Sequence, residues 1–184
     1  MPKHAIALIQ FTMRKLSFFL VLIALSLAAQ TVTAQSKAEK DRAAFISNTK
    51  LLEKKPFDPN ASATRNWGFK WVADTDQVTV GLCGSMLQLI PEKKNKFKGE
   101  LLMQMTFGMA AFKLENPDKK NDEKAAQLAG VESMLRAYEA MLVENEKAKN
   151  AELDALGTKQ KSGDLKAVVD AAYASGKCDV KGSK

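Results

Sequence analysis

The sequence predicts an all-α domain of five to six helices, built as a single helical bundle or a short array of helical hairpins. Three observations lead there. Apolar residues recur at steps of three and four along most of the chain, as in Leu128, Val131, Leu135, Tyr138 and Leu142, which lines them along one helix face. The prolines at 56, 59, 91 and 117 fall between these stretches and not within them, as expected of residues that cannot continue a helix. With 46% hydrophobic and 27% charged residues among 184, the chain suits one globular domain large enough to bury a core.

The chain opens on a targeting pattern. Arg14 and Lys15 precede an apolar run over residues 16–29, and Val32-Thr-Ala34 supplies small residues before a cut between Ala34 and Gln35. This order of charge, apolar core and small residues is that of a secretory signal peptide over residues 1–34. The run stops at Gln30, short of the roughly 20 residues of a spanning helix. An uncleaved anchor extended to Ala34 is the competing reading, and is then the chain's only membrane contact. Met13 with the two basic residues after it forms a complete signal start, so translation from Met13 is a second possibility. Residues 35–184 read as one all-α domain with a Lys-rich carboxy-terminal tail.

Within that domain, residues 36–55 carry Phe45, Ile46, Thr49 and Leu52 as an amphipathic stripe, stopped by Pro56 and Pro59. Thr64 is placed to cap a short helix with Trp67 and Trp71 one turn apart. Residues 75–90 step through Val78, Leu82, Met86 and Leu89 as a third helix, although Val78-Thr-Val80 has strand character. Residues 99–115 are apolar nearly all round, the mark of a central helix, with Gly108 allowing a close crossing. The longest helix runs from about 121 to 149, with Asp122 and Glu123 opening it and Lys147 and Lys149 near its end, as the helix dipole favours. Gly157 is read as the cap of its continuation, Ser162 as the start of a last helix through Leu165, Val169 and Tyr173, and Gly176 as that helix's end.

Charge and residue counts exclude several chemistries. The chain carries +7, from 28 basic and 21 acidic residues. Loss of residues 1–34 removes Lys3, Arg14 and Lys15 and no acid, which lowers the charge to +4. It also removes His4, the single histidine. Without imidazole, Ser-His-Asp and Cys-His nucleophilic sites are excluded, as are His-containing zinc sites. No Gly-rich phosphate loop occurs, so no cofactor or metal is expected. Only Arg42, Arg65 and Arg136 remain as arginines, and the lysines alternate with acids, so nucleic acid is not an expected partner. Cys83 and Cys178 are the two cysteines; an isolated pair in an exported chain most simply forms one disulfide, with two free thiols as the alternative.

Arg65-Asn-Trp-Gly-Phe-Lys-Trp71 concentrates aromatic and basic side chains. Arg65, Trp67, Phe69, Lys70 and Trp71 are therefore a candidate interaction surface, against the plainer reading that the tryptophans anchor the core.

Two resemblances carry more specific expectations. Gly84-Ser-Met-Leu-Gln-Leu-Ile-Pro91 resembles the glycine-methionine-glutamine-proline motif of lytic transglycosylases, which are exported all-α enzymes, and Glu132-Ser133 is similar to their Glu-Ser pair. The resemblance implies a carboxylate-based lyase or hydrolase of cell-wall glycans with Glu132 as general acid. In that family the Glu-Ser pair comes before the other motif; here it follows. Phe107-Gly108 with residues 137–145 loosely resembles a tetratricopeptide hairpin, which implies a right-handed helical stack as the alternative arrangement. No second copy recurs at that family's period of about 34 residues.

The leading expectation is a small exported protein, periplasmic or secreted, without catalytic activity, that acts on a protein or envelope component. The alternatives are the glycan-cleaving enzyme and a carrier of apolar ligands between helices, lined by Met and Phe.

Overall fold

The computed structural model describes residues 36–91, 95–175 and 178. The signal segment 1–34, the proposed cut between Ala34 and Gln35, Gly176 and the Lys-rich tail after 178 lie outside the described residues. Those described are all-helical: seven α-helices, two 3-10 turns and no strand. The count exceeds the expected five to six because the expected continuation of the long helix, through Leu153 and Leu156, stands as a separate helix divided from it after Glu144. Among the described residues, no helix is long and apolar enough to cross a membrane.

Two compact units divide the chain at residue 40. In the first, the described residues open helix α1 (Lys37–Lys54). The Glu39 N–H donates to Ser36 Oγ at 3.2 Å while the Ser36 N–H donates to Glu39 Oε2 at 2.7 Å, a reciprocal capping box. The second unit holds the rest of α1 and the other six helices.

Helix α2 (Ala61–Asp74) begins at Asn60, so Thr64 lies inside its first turn and does not cap it. The expected helix over 75–90 is confined to α3 (Gly84–Leu87). Before it, the chain is bent or extended. Long-range partners take the carbonyls that a helix would use internally: the Lys113 ammonium donates to Thr79 O at 2.9 Å, and Gln127 Nε2 to Gly81 O at 2.8 Å. The β-branched Val78, Thr79 and Val80 also favour extended backbone.

Helix α4 (Lys98–Glu115) is central, as its uniform apolarity predicts, with ten of its residues buried. It forms an antiparallel hairpin with α5 (Glu123–Glu144), whose cap is Asp122 accepting from the Ala125 N–H. Two glycines set how closely they cross. A Cβ on Gly108 would stand 2.8 Å from Ser133 Oγ, and one on Gly130 2.7 Å from the Met105 carbonyl. Helix α5 ends at Glu144, short of Lys147 and Lys149, because Asn145 turns extended and its side chain accepts from the Lys147 N–H of a 3-10 turn.

Asn150 caps α6 (Ala151–Ser162), and Gly163 at φ 82° ends it in the left-handed region that suits glycine. Gly157 is buried in mid-helix and is not a cap, and Ser162 is the last residue of α6 and does not start the next helix. Asp164 O accepts from Ala167 and Val168 to open α7 (Leu165–Ser175). Cys83 and Cys178 meet as a disulfide pair with Cα atoms 5.0 Å apart, which ties the chain beyond α7 to the residue before α3.

Candidate functional site

Helix α2 presents the aromatic-basic cluster, and its own geometry separates the members. Gly68 faces the core, where the Phe107 ring passes so closely that a Cβ at 68 would lie 3.0 Å from its Cζ. Trp67 and Phe69 flank that point at about 100° to either side. Trp67 leans back toward the core: its ring lies 6.3 Å from that of Trp71, nearly parallel, and Trp71 stacks at 4.7 Å on buried Phe45. Phe107 closes the set edge-on to Phe45 at 5.4 Å. These are the offset and edge geometries that ring quadrupoles favour.

Phe69 behaves differently. It is 60% exposed, against 36% for Trp67. With Val72, Ala73 and Thr75 it lines one wall of an open groove of about 380 Å³, whose other walls are Val78, Thr79 and Val80 of the extended segment and Thr106 and Phe107 of α4. Lys70 is exposed and pairs with Asp74 one turn on, at 2.8 Å; that bond holds its ammonium above the usual lysine range.

Arg65 is not part of this surface. It is buried, and Nη2 donates to the Pro56 carbonyl at 2.6 Å, which fastens α2 to the turn before it. Burial pushes its pKa down, opposed by the charge of Glu100. Of the five candidate residues, Phe69, Lys70 and part of Trp67 reach solvent, Trp71 is half-buried and Arg65 faces inward. The groove wall over residues 78–80 was not among the candidates; the strand character of Val78-Thr-Val80 is the signal that marks it.

The residues that resemble glycosidase motifs occupy structural positions. Met86 and Ile90 of the Gly84-to-Pro91 stretch are buried in the core. Ser133 is fully buried, where its hydroxyl donates to Glu53 Oε1 at 2.6 Å and accepts from Gln104 Nε2 at 2.9 Å. Arg136 closes the network with two bonds of 2.8 Å to the Glu53 carboxylate, which raises the guanidinium pKa. This line of polar side chains joins α1, α4 and α5. Glu132, next to Ser133, is half-exposed in mid-helix.

The disulfide is equally enclosed. Both sulfur-bearing residues are buried, with the Ser85 hydroxyl 3.0 Å from Cys83 Sγ. Among the described residues, no group of three His, Cys, Asp or Glu side chains stands close enough to hold a metal ion. Compared with protein-family models, curated proteins and solved structures, the chain matches none.

Proposed function

We propose that this chain is an exported helical protein, periplasmic or secreted, which acts without catalysis by binding a protein or cell-envelope component. Export is supported by the basic residues and apolar run of residues 14–29 and by the paired cysteines, since disulfides persist in oxidising compartments. The observation that carries the binding role is Phe69, a large apolar side chain held 60% exposed at the mouth of a groove of mixed walls, with Val72, Val78 and Val80 beside Thr75, Thr79 and Thr106. Scattered exposed hydrophobics are ordinary, but one continuous with such a groove marks an interaction site.

The test is site-specific photocrosslinking in the exporting cell, with the reactive side chain placed at Phe69 or at Val143, a lone apolar residue 88% exposed on α5. Discrete adducts from position 69 and none from 143 support the reading. Equal labelling from both, or none from either, overturns it. Peptidoglycan clearing by the purified chain, abolished in Glu132→Gln, would replace it with the glycan-cleaving reading.

A further inference from the structure

Among the described residues, Asn60, Asn116, Asn145 and Asn150 stand at the start of a helix or 3-10 turn, and Asn60 alone leaves its side chain out of the local bonding. Asn145 and Asn150 are extended, at φ −152° and −146°, and each Oδ1 accepts an N–H bond from the turn that follows. Asn116 Nδ2 donates back to Phe112 O at 2.8 Å. Asn60 sits at φ −94° and ψ 1°, away from the extended backbone that lets a capping side chain reach the next turn, and its side chain makes no capping bond. Its N–H donates to Asp58 Oδ1 at 2.9 Å, and its carbonyl accepts from the Thr64 N–H to begin α2. Burial alternates over the next two residues. Asn60 is exposed, Ala61 is buried and Ser62 is exposed again, so the carboxamide and the hydroxyl share the outer surface of the first turn.

We propose that Asn60 is a modification site, whose carboxamide accepts an N-linked oligosaccharide from a polyprenyl-pyrophosphate donor. Asn60-Ala-Ser62 fits the acceptor pattern of asparagine, any residue but proline, then serine or threonine, and no other asparagine of the chain does. In the transfer, Asn60 Nδ2 attacks the anomeric carbon of the first sugar. A C–N bond forms, the bond from that carbon to the pyrophosphate oxygen breaks, the lipid pyrophosphate leaves and the amide gives up one proton. Such sites belong to surface segments of exported chains, so the proposal rests on the export assigned above. The position suits a bulky, solvated group, because attaching it breaks no capping bond at the start of α2. It also keeps clear of the proposed binding surface. Phe69 lies nine residues on, half a turn round the helix from Asn60 and about 13 Å along its axis, so a glycan at 60 leaves the Phe69 face open.

The test is mass spectrometry of the chain recovered from the exporting cell, before and after digestion with an amidase that releases N-linked glycans. The expected result is a peptide containing Asn60 that is heavier by an oligosaccharide, and that the amidase returns with aspartate at position 60. Asn60→Gln and Ser62→Ala should each abolish the added mass, and Ser62→Thr should retain it. Added mass that persists in Asn60→Gln overturns the assignment. If a variant fails to fold, the spectrum of the unaltered chain still decides the question. An unmodified Asn60 in a chain that begins at Gln35 overturns the site and leaves export standing. An unmodified chain that still carries residues 1–34 overturns the site and counts against the cleaved signal peptide as well.

Discussion

Helix α4 divides the core into two regions of different chemistry. On one side, Leu101 and Met105 join Met86, Met134, Met141, Leu135 and the buried disulfide, in a cluster rich in thioethers and aliphatic chains that extends to α6 and α7. On the other, Phe107, Ala110, Ala111 and Leu114 meet Phe45, Leu52 and Val78, with Trp71 and Val72 packed against them. Unbranched methionines adapt to irregular gaps, and the disulfide anchors the chain end on that side. Rigid rings fit only by shape, so the second region depends on Gly68 giving way before Phe107. This region opens to solvent at the groove walled by Phe69 and Val80. The methionine side has open pockets of its own, one of about 440 Å³ walled by Leu87, Ile90, Pro91 and Leu102; what distinguishes the aromatic side is the exposed Phe69 ring at its groove.

Substitutions can break this contrast. Phe107→Ala should cost the most, about 3–5 kcal/mol, because it removes the ring shared by Phe45 and Gly68; denaturant melts measure it. On the opposite side of α4, Met134→Leu should cost below about 1.5 kcal/mol. Equal losses at the two positions would erase the distinction between adaptable and shape-dependent packing.

Replacing both cysteines by serine should lower stability by about 2–4 kcal/mol, since the disulfide closes a separation of 95 residues. The loss should fall on the methionine side, read as faster amide exchange in α7 with the Phe45 region little changed. Gly130→Ala should cost about 1–3 kcal/mol. The added methyl meets the Met105 carbonyl, which cannot move without α4, and that crowding outweighs the helix propensity gained.

A smaller effect belongs to Tyr138, buried on the methionine side. Its hydroxyl donates to Asp154 Oδ1 at 2.7 Å and accepts from the Asn150 N–H at 2.9 Å. Burial first, and the bond to Asp154 second, push its pKa to about 12 from 10. A raised pKa means that the folded state holds the proton more tightly. This contribution is therefore complete below pH 10 and is lost as pH rises from about 10 to 12. Tyr138→Phe should remove that part of the alkaline slope in melts across this range, and cost about 1 kcal/mol at neutral pH. The smallest change in stability should come from Phe69→Ala, within about 0.5 kcal/mol as for other surface positions. Photoadducts formed from a neighbouring position should nevertheless disappear in it.

Local pattern made much of this legible. The steps of three and four placed α1 and α5, Pro56 and Pro117 followed the ends of α1 and α4, and the uniform apolarity of residues 99–115 identified the central helix α4. The same signals misread residues 75–83, where Val78 and Leu82 keep helical spacing while Lys113 and Gln127, distant in sequence, take carbonyls that a helix would use internally. They also assigned the cap to Gly157 when it belongs to Gly163. Both are glycines, and only the path of the chain toward α7 demands a positive φ at the second.

The candidate surface shows the same division. A cluster of aromatic and basic residues on α2 was readable as composition, but the inward turn of Arg65 to Pro56 and the outward turn of Phe69 were not. By itself the sequence determined the helical class, the central helix and the absence of imidazole beyond His4, because each follows from residue identity or from spacing within one turn. Tertiary structure alone decided which side of α4 meets rings and which meets methionines, how closely Gly130 lets α5 approach, and that residues 78–82 stay out of a helix beside an open groove. Those outcomes depend on side chains far apart in the chain, which no local periodicity records.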